Sequence, residues 1–288
     1  MGEDEGGMNP HILPPIWAFG GGKGGVGKSL LCAAVGVELA QRHLQVVAID
    51  ADLGAANLHT LLGLIHPPRT LTEFFADSGT SLSEVCIETD VSGLRLVSGA
   101  AALLRAAHPR AAEKKRLLSS LATLDADIIL IDLGAGTHYN TLDFFNLAGH
   151  RLVVTGPEPT SIQNAYAFLK ASVFRRIELG LAGHDWVRDA LARAIMPRGS
   201  QRIESVPRLL EVFAERDPAV AAEAEALVSD LAPKLIINQG SSRDRKRVLG
   251  ALAVVCHRYL GLRPNHVATL PDDPAAREAV RRMRPLLV

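Results

Sequence analysis

Eight consecutive residues carry the plainest chemistry in this chain. Gly22-Lys23-Gly24-Gly25-Val26-Gly27-Lys28-Ser29 has the spacing GxxxxGK[ST], a loop built to cradle phosphate. Glycines allow successive backbone N–H groups to turn inward with no side chain in the way. A helix beginning at the end of the loop adds its dipole to the same anion. In that frame Lys28 neutralises the terminal phosphates and Ser29 offers its hydroxyl to Mg²⁺. A second lysine, Lys23, opens the glycine run. It lies beside the phosphates but cannot easily fold back onto its own loop.

Phosphoryl transfer also needs carboxylates, to support the metal ion and to orient water. Asp50-Ala51-Asp52 follows an apolar run, and Asp132 closes another, ahead of Gly134-Ala135-Gly136. In extended chain an Asp-x-Asp spacing points both carboxylates the same way. Three aspartates at strand tips beside a phosphate loop and the Ser29 hydroxyl read as a magnesium–nucleotide site, with Asp132 placed as the aspartate that ends a strand behind such a loop.

The elements that must position these groups follow from the apolar pattern. Ile16–Phe19, Leu44–Ile49, Leu94–Val97, Asp127–Ile131, Arg151–Thr155, Lys234–Ile237 and His266–Leu270 are short apolar runs, as buried parallel strands are. Helical patterns alternate with them, including Ser29–Arg42, Ala111–Leu124 and the stretch near Ser161–Glu178. This predicts an α/β fold, a mostly parallel sheet with helices on both faces. Residues 1–15 read as a flexible leader, and residues 16–288 as one domain. About fifty residues, roughly 182–232, interrupt the alternation with no strand pattern. Ser205 and Asp217-Pro218 look like helix starts there, with Val206, Leu209, Leu210 and Phe213 on one stripe and Val220, Ala224, Leu227, Val228 and Leu231 on the next. This helical insertion either packs on the sheet edge or offers a surface to a protein partner.

The form KGGVGKS resembles the deviant Walker A loop of the MinD/ParA ATPases. In that class the first lysine reaches the nucleotide of a partner subunit, so the resemblance implies an ATP-dependent homodimer, with ATP and Mg²⁺ as its cofactors. DADLGAANL at Asp50–Leu58, IDLGAG at Ile131–Gly136 and TGPEPTSIQNAY at Thr155–Tyr166 look like the FlhG/FleN (YlxH-type) branch. Plasmid and chromosome ParA proteins usually carry a proline-rich sequence where this chain has LGAG. The likeness covers Ile16–Lys170 closely and Lys234–Leu287 more loosely. It implies that Asp52 positions the attacking water, with Lys23 and Lys28 as its partners in catalysis, and that Asp50 and Asp132 support Mg²⁺. Gly22, Gly24, Gly25, Val26, Gly27, Lys28 and Ser29 would hold the phosphates. Asn238 would hydrogen-bond adenine, and the backbone near Pro271-Asp272 would close over it. The chain departs from the branch in its insertion. This reading also expects neither the glutamine-bearing motif that opens the flagellar proteins nor their terminal amphipathic helix.

Composition bounds the alternatives. The 288 residues are 48% hydrophobic and 22% charged, a globular balance, with Lys+Arg and Asp+Glu equal at 31 each. Contact with DNA or acidic lipid would therefore need a local patch. The clusters Arg243, Arg245, Lys246, Arg247 and Arg277, Arg281, Arg282, Arg284 are interleaved with acids or apolar residues, as on solvated faces. Cys32, Cys86 and Cys256 form no CxxC pair, which argues against an iron–sulfur carrier and for reduced thiols in the cytoplasm. The start lacks the pattern of a signal peptide, and no apolar run reaches about 18 residues. A cytoplasmic protein, peripheral to the membrane at most, is expected. The leading reading is a slow Mg²⁺-dependent ATPase switch that positions a cellular structure. Against it stand a partition ATPase, an ATP-dependent amidoligase or dethiobiotin-synthetase-like enzyme, and a scaffold that binds ATP without hydrolysing it.

Overall fold

The computed structural model describes residues 13–99, 111–195 and 203–287. Most of the expected leader, residues 1–12, lies outside them. The chain runs β1 (Ile16–Gly20), α1 (Lys28–Gln41), β2 (Val46–Asp50), α2 (Leu58–Leu61), α3 (Leu71–Ala76), β3 (Cys86–Glu88) and β4 (Leu94–Val97). It continues through α4 (Ala111–Ser120), β5 (Ile128–Asp132), α5 (Tyr139–Leu147), β6 (His150–Thr155) and α6 (Pro159–Gly180). Last come α7 (Asp185–Ile195), α8 (Val206–Arg216), α9 (Pro218–Ser229), β7 (Lys234–Ile237), α10 (Ser242–Leu260), β8 (Asn265–Thr269) and α11 (Pro274–Arg282).

All eight strands form one sheet in the order β3-β4-β2-β5-β1-β6-β7-β8, parallel throughout except for the antiparallel β3–β4 pair. The expected α/β architecture is the observed one. The strand periodicity divides the core. Val46 and Ala48 face a cluster with Cys32, Ala33 and Val37 of α1, whereas Val47 and Ile49 face a cluster with Phe145 of α5 and Phe168 of α6. With both faces covered, the strands read as unbroken apolar runs, and β2 is buried at all five positions.

Two details differ from the sequence reading. The helix expected over Ala111–Leu124 ends at Ser120 and tightens into a 3₁₀ turn at Leu121–Thr123. The segment between β2 and β4, unassigned from the sequence, holds α2, α3 and the three-residue β3. There Thr70 and Glu73 make a reciprocal capping box at the start of α3.

The stretch expected to be helical around 182–232 contains α7, α8 and α9, apart from residues 196–202, which lie outside the described residues. Ser205 Oγ accepts from Arg208 N, and Asp217 Oδ1 accepts from Ala219 N and Val220 N, with Pro218 in the first turn. Of the three helices, α7 and α9 pack on α6, and α8 packs on α9, α10 and α7. Trp186 of α7 meets Phe213 of α8 edge-on, with ring centroids 5.3 Å apart.

Candidate nucleotide site

Parallel pairing brings the chemistry to one edge. Phe19 pairs with Asp132 in the β1–β5 register, and Asp50 with Asp132 in the β2–β5 register. The glycine-rich loop and the aspartates thus emerge side by side from the carboxyl ends of adjacent strands, where open α/β sheets bind ligands.

The loop between β1 and α1 reverses the chain. Gly27, with φ 88°, stands in the left-handed region that disfavours side chains, and it precedes α1 without giving the helix a side-chain cap. The first amides of α1 therefore keep their hydrogen-bonding capacity for an anion. Lys28 is buried, its Nζ 3.4 Å from the Lys23 carbonyl oxygen. Burial lowers its pKa, and the nearby Asp132 and Asp52 carboxylates oppose that shift.

Asp50 and Asp132 are both buried. Burial pushes each well above the ordinary carboxylate range, and proximity raises Asp132 further, because two anions in a dry site repel. They are held differently. Asp50 accepts from the backbone amides of Asp52 (3.2 Å) and Leu58 (3.0 Å), and so organises the loop between β2 and α2. Asp132 bonds the Ser29 side chain, while its Oδ1 has no partner among the described residues. A buried, unpartnered carboxylate oxygen beside a serine hydroxyl is a hard-oxygen donor set of the kind Mg²⁺ takes. No group of three or more His, Cys, Asp or Glu is gathered for a metal among the described residues.

Asp52 is half-buried at the mouth of the site. A Cβ built on Gly134 would sit 2.9 Å from its Oδ1, so the loops after β2 and β5 touch here and a side chain at 134 would displace the carboxylate. Lys23 turns away from its own loop toward the start of α6. Its Nζ lies 3.3 Å from Thr160 Oγ1 and 3.4 Å from Ser161 Oγ. Ser161 Oγ in turn donates to Glu158, 2.9 Å away, and Lys23 helps hold the Glu158 carboxyl low after the hydrogen bonds from its own backbone and Ser161. Sequence reasoning missed this trio, although Pro159-Thr160-Ser161 reads as a helix start facing the site.

Asn238 and Pro271 are less closely joined than the sequence suggested. Asn238 is buried beneath the phosphate loop, and its Nδ2 donates to the Val26 carbonyl at 2.9 Å. Pro271 lines a separate cavity of about 620 Å³ with Gly240, Ser241 and Thr269. One hydrogen bond, Gly240 N to Leu270 O at 2.9 Å, ties the loops after β7 and β8 together.

Comparison with known proteins identifies the class. Residues 17–286 match the family model of the CobQ/CobB/MinD/ParA nucleotide binding domain, and the chain belongs to that family. Among characterised relatives, the antiactivator FleN of Pseudomonas aeruginosa is 33% identical over 157 residues, which cover 54% of this chain and 55% of that protein. The flagellum site-determining protein YlxH of Helicobacter pylori is 30% identical over 190 residues, 63% of this chain and 61% of that one. Both matches span less than two thirds of the relative's length. In three dimensions the chain is similar to the cell division ATPase MinD of Pyrococcus furiosus, with a TM-score of 0.60 and 20% identity over 95% of this chain and 90% of that one. It is similar also to the septum site-determining protein MinD of Pyrococcus horikoshii complexed with Mg-ADP, with a TM-score of 0.61 and 20% identity over 95% and 88%. At that identity the likeness concerns the fold. Among the described residues no helix is long and apolar enough to cross a membrane.

Proposed function

We propose that this chain is an ATP-dependent dimerising ATPase that works as a switch, positioning or regulating a cellular structure such as the flagellum, for whose site its YlxH relative is named. The supporting observation is a complete phosphate site together with a second lysine, Lys23, held outside it on Thr160 and Ser161. Lys28 and the loop amides bind the phosphates. Ser29 and Asp132 hold Mg²⁺, which when bound neutralises phosphate charge. Asp50 fixes the loop that carries Asp52, and Asp52, at the open mouth, orients the attacking water. Asn238 supports the phosphate loop from beneath and faces the base, which the loops at Gly240 and Pro271 enclose.

One cation within a loop satisfies the local phosphates. Another is useful where two nucleotides face each other across an interface. Leaving Thr160 and Ser161 costs Lys23 two long hydrogen bonds on a half-exposed surface, worth little against a triphosphate. ATP with Mg²⁺ is therefore expected to drive a monomer-to-dimer transition, and Lys23→Ala to retain much of the ATP affinity while losing both dimer and turnover. Light scattering across protein concentrations, with ADP and with a non-hydrolysable ATP analogue, checks this. A parent that stays monomeric with the analogue would move the amidoligase and scaffold readings ahead.

A further inference from the structure

A groove far from the phosphate loop lies where α4, α5, α6 and α9 meet, around a cavity of about 500 Å³. The distance follows from α6, whose first turn holds Lys23 and whose last turn lines the groove. Its 22 residues span about 33 Å. Each of the four helices contributes one leucine to the wall: Leu118, Leu147, Leu179 and Leu227. Leu147 and Leu179 are 39% and 48% exposed, so their burial is unfinished in the isolated chain.

The polar lining is unbalanced. Lys114, Arg175 and Arg176 line the cavity against one carboxylate, Asp143. Asp143 is shared between Lys114 and Arg175. Glu178 and Asp230 stand outside the lining, paired with Arg175 and Arg176. The Asp230 side chain is 68% exposed, so water already competes for that pair. Arg151 lies behind, bonded to the Asn146, Asp230 and Leu231 carbonyls. Counted with these partners, four cations meet three carboxylates here, an excess of one positive charge beside an apolar floor in a chain with zero net charge. At that floor, buried Asn146 donates to the Ser172 carbonyl, and its Oδ1 has no donor among the described residues.

We propose that this groove docks an amphipathic segment of a protein partner, with leucine-like side chains on one stripe and aspartate or glutamate beside it. A concave apolar floor suits side-chain anchors rather than a lipid surface, and a nucleic acid backbone would leave the leucines with nothing to bury. Apolar anchors inside a charged rim are the usual anatomy of helix-in-groove recognition. The insertion takes part through its inner side. Through α9 it supplies Leu227, whose carbonyl accepts from Arg176 Nε at 2.8 Å. Among the described residues, the outer faces of α7, α8 and α9 carry no exposed large apolar side chain. The partner surface expected of the insertion is thus the wall it builds against α5 and α6.

Phage selection from a random library of helix-length peptides tests this, using the purified full chain as bait. Counter-selection uses the double variant Leu147→Asp/Leu179→Asp, checked for the parental circular dichroism and melting temperature. Enriched peptides should share leucine-type residues at helical spacing next to acids. A labelled member should bind the parent in fluorescence anisotropy and lose at least about tenfold in affinity on the double variant, ~1.4 kcal/mol. Arg176→Gln should weaken it in the same direction, as should salt. If the double variant misfolds, Leu179→Ala serves for the same comparison. No shared pattern, a basic pattern, or equal binding to parent and variants would overturn the proposal.

Discussion

Asn238 stands between two parts of the nucleotide site. Its amide holds the Val26 carbonyl, and a Cβ on Gly27 would come within 2.3 Å of its Nδ2, so side chain and loop are fitted to each other. Truncating it leaves a buried carbonyl unpaired, at about 1–3 kcal/mol. Asn238→Ala is therefore expected to weaken binding of inorganic tripolyphosphate as well as ATP in calorimetry. A residue that touched only the base would leave tripolyphosphate binding unchanged. Asp52 makes a different demand. It reaches the open mouth of the site, whereas the oxygens of Asp50 are committed to backbone amides. Asp52→Ala should bind ATP with near-parental affinity and lose about 10²-fold or more in turnover, the scale of a positioned proton-handling group. A phosphate-release assay alongside calorimetry separates the two effects.

At the scale of elements, the clearest case is the tie among α4, α5 and α6 made by Lys114, Asp143 and Arg175. Burial alone would raise the Asp143 carboxyl, but the hydrogen bonds from Arg175 and Lys114 outweigh it and hold the group below its ordinary pKa. A depressed carboxylate contributes stability above its unfolded pKa, about 3.9, and loses it as the pH falls through the lower, folded value. Asp143→Asn should thus cost on the order of 2 kcal/mol at neutral pH, and the gap to the parent should close below about pH 4. Urea unfolding across pH reads this directly.

The same tie marks what the sequence could not disclose. Lys114 and Asp143 are 29 residues apart, and Arg175 lies 32 beyond, so no local spacing announces the cluster. The groove is equally silent, because its four leucines come from four helices and each reads as ordinary core. The order of the strands is likewise a long-range property. By contrast, the phosphate loop and the Asp50-x-Asp52 pair were legible because their chemistry is written within a few residues. Of the insertion helices, α8 and α9 were legible because Ser205 and Asp217 announce their starts, whereas α7 was read only as part of a stretch with no strand pattern. The short α3 carried an equally readable signature in Thr70 and Glu73, but a three-residue strand such as β3 has too few residues for its period to show.

For the whole molecule, ligand binding is a stability term. A ligand that binds only the folded state at 100 times its Kd adds about 2.7 kcal/mol. In a chain of this size that is a rise in Tm of roughly 5 °C or more. Mg²⁺ with ATP should produce such a shift in calorimetric melting. Lys28→Ala should abolish it, because the buried phosphate charge loses its cation within the loop.

The pairing of β1 bears on the order in which this protein comes into being. Ile16 is opposite Ile129, and Trp17 is opposite His150, so both neighbours of the strand that launches the phosphate loop are made more than a hundred residues after it. A chain emerging from the ribosome holds Ile16–Gly20 and its glycine loop unpaired until β5 and then β6 have followed. Through that interval ATP has no folded site to stabilise. The apolar run that opens the described chain must be sheltered from other chains by time, chaperones or low concentration.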